Sequence, residues 1–139
     1  MDYNAQMECA LMRGCCCSET LVRFGLMLRG EENEPFALAA SALCDGIHSG
    51  YACGALTGGA LLLAMFDRAF AARTMIPELV QWFDDTYGME YGSINCEDIT
   101  QGDLHCKAER CRMLVLAVGN RCTGLLERYG YLARKGDEQ

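Results

Sequence analysis

Residues 47–66 contain no Asp, Glu, Lys or Arg, and this stretch narrows the possible folds more than any other feature of the chain. Ile47, His48, Ser49 and Gly50 read as a loop. That leaves about fifteen helical residues before Asp67 and Arg68, against the roughly twenty needed to cross a bilayer. A helix that short and apolar nearly all round must be enclosed by other helices. Gly54 with Gly58, and Ala55 with Gly59, form two small-xxx-small pairs, which let a neighbouring backbone come close. Each Gly inside a helix costs roughly 1 kcal/mol relative to Ala, so packing or a site must compensate.

The flanking segments supply candidates for that enclosure. Leu21, Phe24, Gly25 and Leu28 share one face of a predicted helix over 18–29, with Ser18 as its N-cap. A second helix is predicted over 36–44, closed by Asp45 and Gly46. Pro77 fits the start of a third, whose face runs through Leu79, Trp82, Phe83 and Thr86 and which Gly88 closes. Residues 89–101 read as loop with one helical turn after Asn95. A long last helix fits 104–131, with Cys111, Val115, Val118, Cys122 and Leu125 as its apolar stripe. No segment alternates as a strand would. The expected fold is all-α: a single domain over 1–139, about five helices packed round a central Gly/Ala-rich helix. The N-terminal segment and the tail 134–139 are its loose ends.

The net charge of −7 argues against nucleic acid and anionic membranes as partners, because both reward basic surfaces. Lys107, Arg110, Arg112, Arg121, Arg128, Arg134 and Lys135 make the last third more basic, and on a long helix they read as a solvated face. The acidic residues form no paired-carboxylate site, and Asp84 and Asp85 are expected to face solvent. Phosphate-binding glycine loops and a Ser-His-Asp pattern are absent.

Ten cysteines are too many for core filler. Met1, Asp2, Tyr3, Asn4 and Ala5 lack the basic start and apolar run of a secretory leader. The expectation is therefore a cytoplasmic chain with reduced thiols or metal ligands, not a disulfide framework. Cys53 falls at the predicted N-terminus of the central helix, where free amides and the helix dipole favour a thiolate. Cys17 precedes another helix, Cys96 follows the capping residue Asn95, and Cys111 lies on the inward stripe of the last helix. Cys9, Cys44 and Cys122 read as small buried hydrophobes. No Cys-x-x-Cys occurs, so zinc ribbons and ferredoxin-type runs have no local support. His48 and His105 read as ordinary loop or surface histidines.

Cys53-Gly54-Ala55-Leu56-Thr57-Gly58 resembles the Cys-Gly-Ala-x-x-Gly signature of a family regarded as redox-active, named C-GCAxxG-C-C after its four characteristic cysteines. Cys17-Ser18-Glu19-Thr20-Leu21-Val22 resembles the family's first cysteine and the helix that it opens. The segment from Tyr91 through Cys96 to Ile99 resembles the third-cysteine region, and Cys111 best matches the fourth. Cys15 and Cys16 compete with Cys17 for the first position, and Cys106 or Cys122 with Cys111 for the last. The resemblance implies an all-helical fold and a redox role.

Three functions follow as expectations. The first is a thiol-based redox protein with Cys53 as the activated thiolate, Cys17, Cys96 or Cys111 as its resolving partner, and a second protein as redox partner. The second is a module in which the same four cysteines hold zinc or an iron–sulfur cluster. The third is a helical accessory protein without chemistry of its own, with a homodimer formed through an apolar face as one form.

Overall fold

A computed structural model describes residues 2–133, the side chain of His105 excepted. The tail 134–139, with Arg134 and Lys135, and the His105 side chain lie outside the described residues. The fold is all-helical. Helix α1 spans Tyr3–Met12 and is capped by Asp2, whose carboxylate accepts from the Ala5 amide at 3.1 Å. Helix α2 spans Cys17–Arg29 and ends on Gly30. Its N-cap is Cys16. Ser18, the expected cap, is buried inside the first turn and donates to the Ala40 carbonyl at 2.7 Å. Helix α3, Glu34–Ala39, starts at Asn33 and Pro35 and tightens into a 3-10 turn over Ala40–Leu43.

Four consecutive left-handed residues, Asp45, Gly46, Ile47 and His48, then turn the chain. This conformation is costly for a β-branched side chain such as Ile47. A side chain on Gly46 would meet the Tyr51 carbonyl oxygen at 2.3 Å, so only glycine fits there.

Helix α4 covers Gly54–Phe66, 13 residues, and is the central helix that the charge-free stretch requires. Its glycines are packing devices. A Cβ on Gly58 would lie 2.7 Å from Ser18 Cα, and one on Gly59 would lie 2.5 Å from Val118 Cγ1. The first glycine brings the α2 backbone close and the second admits the last helix. No helix among the described residues is long and apolar enough to cross a membrane.

Asp67 breaks the backbone (φ −162°, ψ 102°) and caps the next helix through the Phe70 amide. Helix α5 then runs over 68–91 with two widened π turns, Ala71–Met75 and Asp84–Gly88. The sequence predicted a start at Pro77 and a stop at Gly88; the structure carries the helix through both. Ahead of Pro77 the Ile76 amide reaches back to the Ala71 carbonyl. That wider turn gives room to a ring that cannot donate and would crowd a regular turn. The second π turn brings Tyr87 to 5.2 Å from the Phe83 ring and leaves Thr86 exposed, so Tyr87 takes the place expected of Thr86. Gly92, at φ 87°, ends the helix.

Helix α6, Cys96–Thr100, is the single turn expected after Asn95. Helix α7 spans Leu104–Arg128, and Val115, Val118, Cys122 and Leu125 are buried on its stripe as predicted. The core gathers Leu21 and Phe24 of α2, Leu62 and Leu63 of α4, Leu79 and Phe83 of α5, and Leu114 and Leu126 of α7. Removing one such side chain to Ala costs about 2–5 kcal/mol.

Candidate functional site

The N-terminal ends of α2, α4 and α6 and the first turns of α7 meet at one end of the bundle. Between them lies an open cavity of about 550 Å³. Cys17, Cys53, Cys96 and Cys111, the four cysteines singled out in the sequence, all line it, together with Cys15, Cys16 and Cys44. Four short pieces of local structure achieve this. Residues 52 and 95 form an isolated antiparallel bridge, in which the Cys53 amide donates to the Ile94 carbonyl at 2.9 Å and the Cys96 amide to the Tyr51 carbonyl at 2.6 Å. The bridge sets Cys53 and Cys96 side by side at the openings of α4 and α6. Cys17 opens α2, and Cys111 reaches in from α7 one turn beyond Lys107.

Chemically the four sulfurs differ. Cys53 caps α4 as expected, but it is only 4 % exposed, and burial raises its thiol from the ordinary 9.0 to about 11 despite the helping amides of Ala55 and Leu56. The expectation of a lowered Cys53 thiol is therefore corrected: desolvation outweighs the helix end. Burial also raises Cys96, with Cys111 and Asp45 adding to it. Cys17 and Cys111 share a hydrogen bond; it holds the Cys17 thiol well above its ordinary value and draws Cys111 below. The nearby Lys107 ammonium lowers Cys111 further. In this pair Cys17 donates and Cys111 accepts, so Cys111 is the sulfur of the pair that gives up its proton more readily.

Ion pairs tie α7 to its neighbours at the rim. Lys107 pairs with Asp45, and Arg112 with Glu8 of α1. The left-handed turn at residue 45 is what delivers the Asp45 carboxylate to Lys107. Met12 and Leu104, 88 % and 81 % exposed, add an apolar border to the mouth.

Two cysteines depart from their expected roles. Cys44, read as core filler, forms a disulfide with Cys16 (Cα–Cα 6.1 Å), so the thiols are not all reduced. Cys9, read the same way, is exposed. Cys122 is fully buried as expected and points its thiol at the Gly59 carbonyl, 3.6 Å away. Cys106 contacts Asp103 and does not line the cavity. His48 is on the exposed turn with Nε2 2.9 Å from the Ser41 carbonyl, also away from the cavity lining. Sequence reasoning missed Asp45 and the pairing of Cys16 with Cys44; residues 28 apart leave no spacing signal. Lys107, four residues before Cys111 on a helix, could have been noticed from spacing alone.

Among the described residues no three Cys, His, Asp or Glu side chains are arranged to hold a metal ion. The cysteines surround a space and do not form a ligand cage. The arrangement offers a dithiol at the mouth, two buried thiols below it, and a disulfide in the wall.

Comparison with curated proteins gave no match, and comparison with solved structures gave none. The sequence profile of the family described as "Putative redox-active protein (C_GCAxxG_C_C)" matches residues 15–125, a span that takes in all four cysteines of the resemblance, and the chain therefore belongs to that family.

Proposed function

We propose that the protein is a thiol–disulfide redox protein in which Cys111 is the attacking thiolate and Cys17 its resolving partner. The observation that carries this reading is the hydrogen-bonded Cys17–Cys111 pair at an open cavity beside Lys107. The family's redox-active description agrees with it. Attack on a disulfide requires a thiolate with access to solvent. Cys111 comes nearest to both conditions, being partly exposed and drawn below its ordinary value, whereas Cys53 is buried and pushed up.

The partner is a disulfide on a second protein. Cys111 Sγ attacks one of its sulfurs, forming a mixed disulfide and expelling the other as a thiolate. Cys17 then gives up its proton to that thiolate and attacks Cys111 Sγ, freeing the partner's remaining sulfur. The partner gains two electrons, and the protein ends with a Cys17–Cys111 disulfide. Cys53 and Cys96 are both pushed up by burial, so neither competes with Cys111 as the attacking sulfur.

The test is to reduce the Cys16→Ser/Cys44→Ser double variant, expose it to a small disulfide such as oxidised glutathione, quench with acid and map the cross-links. A reversible Cys17–Cys111 cross-link is expected, together with alkylation of Cys111 well ahead of the exposed Cys9. Equal rates at Cys111 and Cys9 and no such cross-link would refute the reading.

A further inference from the structure

The wall of the cavity holds a second redox couple, Cys16 and Cys44, for which the reaction above has no use. Cys16 is the residue next to Cys17, at the N-cap of α2, so the two couples are joined through the backbone. Cys44 approaches from the other side. The point that a side chain on Gly54 would occupy is 3.4 Å from Cys17 Cβ and 3.4 Å from Cys44 Cα. With no side chain at Gly54, nothing from α4 separates Cys17 from Cys44. Both residues therefore flank the same point, which makes them near neighbours of the kind that a disulfide can join after a small adjustment. Ser18 Oγ is 2.9 Å from Cys44 Sγ and also bonds the Ala40 carbonyl, which holds Cys44 against the first turn of α2. In the structure Cys16 and Cys44 are joined while Cys17 and Cys111 are free thiols side by side.

We propose that the two couples form an internal relay, in which oxidation received as a Cys17–Cys111 disulfide passes to Cys16 and Cys44 and returns the mouth to its dithiol state. The proposal rests on the function argued above. In the first step the Cys44 thiolate attacks Cys17 Sγ, the Cys17–Cys111 bond breaks, and Cys111 leaves as a thiolate. In the second the Cys16 thiolate attacks Cys44 Sγ, the Cys17–Cys44 bond breaks, and Cys17 leaves. Two electrons move from Cys16 and Cys44 to Cys17 and Cys111. Of the two protons released, one goes to Cys17 and the other to solvent through the open mouth. The product has the bonding seen in the structure: a Cys16–Cys44 disulfide, with Cys17 and Cys111 unlinked. Cys111 is the better leaving group of the first disulfide, since the sulfur with the lower pKa departs faster. The relay lets the mouth give up a second pair of electrons before any external reductant acts.

The experiment follows cross-links in time. The fully reduced full-length chain is given one equivalent of oxidised glutathione, quenched with acid at intervals, alkylated and mapped by fragmentation of the linked peptides. The expected result is early Cys17–Cys111 cross-link that decays as Cys16–Cys44 rises in equal amount. Cys16→Ser should stop after the first step and accumulate a Cys17–Cys44 cross-link. In Cys111→Ser, formation of Cys16–Cys44 should slow at least tenfold, because its entry thiolate is gone. A Cys17–Cys111 cross-link that persists, or a Cys16–Cys44 cross-link that forms equally fast in Cys111→Ser, overturns the relay and leaves the mouth dithiol standing. If the Cys16→Ser/Cys44→Ser variant also forms no Cys17–Cys111 cross-link, the relay and the function beneath it fall together.

Discussion

Cys111 and Cys122 lie three turns apart on one helix, yet they belong to regions that treat a thiol in opposite ways. At the cavity end, Cys111 borders open space, accepts a hydrogen bond from Cys17 and has Lys107 a turn away. In the centre of the bundle, Cys122 is fully buried, and its sulfur sits 3.3 Å from where a Gly59 side chain would be. Burial alone drives the Cys122 thiol far up. The helix, the side chain and the stripe are the same, so chemistry is set by what covers the sulfur and which charges face it. Cys53 shows which influence wins when they compete, since a favourable helix end fails against enclosure.

The sharpest way to break this contrast is alkylation in native buffer near pH 7. Cys122 can react only when the bundle opens, and global opening of a stable small domain is disfavoured by a factor on the order of a thousand or more. Cys111 needs no opening. We therefore expect its labelling to lead that of Cys122 by at least that factor. Mild denaturant should shrink the gap by accelerating Cys122 alone. Similar rates in native buffer would mean that the centre of the bundle is loose and that the two regions do not differ.

Much of this contrast was legible in the sequence. The charge-free stretch at 47–66 required an enclosed helix, and its glycines marked where α2 and α7 come close. The Cys-Gly-Ala-x-x-Gly string and its three companions pointed to the four cysteines that now share a cavity. What the sequence could not convey depends on the third dimension. Cys53 sits at a helix start in both readings, but its desolvation depends on α6 and the 52–95 bridge, which no local pattern encodes. Cys16 and Cys44 meet because the chain reverses between α2 and α3 after Gly30, and Ser18 holds the end of that return against the start of α2. Pro77 is a normal helix opener by pattern, and only the π turn ahead of it lets the helix run through.

An intermediate effect tests the buried side of the comparison through pH. Cys53 holds its proton to about 11 in the fold, against an ordinary 9.0. Between those values the unfolded chain binds fewer protons than the folded one, so stability falls as pH rises. The loss is complete once pH passes the folded value and is on the order of 2–3 kcal/mol for this group. Urea unfolding at pH 8.5 and at pH 10.5 should show it, and Cys53→Ala should flatten part of the slope while costing some stability at every pH. A wild-type slope that Cys53→Ala leaves unchanged would assign the alkaline loss to other thiols, such as Cys122.

The smallest effect expected is the most specific to the open side. Lys107 faces Cys111 across one turn while its ammonium pairs with Asp45. The pair is partly exposed, so solvent and salt weaken its field, and a contribution of a few-fold in thiolate population is the scale to expect. Lys107→Gln should therefore slow Cys111 alkylation about two- to fivefold at neutral pH. Near pH 10 the difference should vanish, because there Cys111 ionises with or without the lysine. Lys107→Arg should restore much of the rate, since it keeps the charge. Added salt should reduce the gap between wild type and Lys107→Gln by slowing the wild type. A loss of rate that persists at pH 10, or that Arg does not rescue, would mean that Lys107 acts by shaping the cavity mouth, and that the hydrogen bond from Cys17 alone separates Cys111 from its buried neighbours.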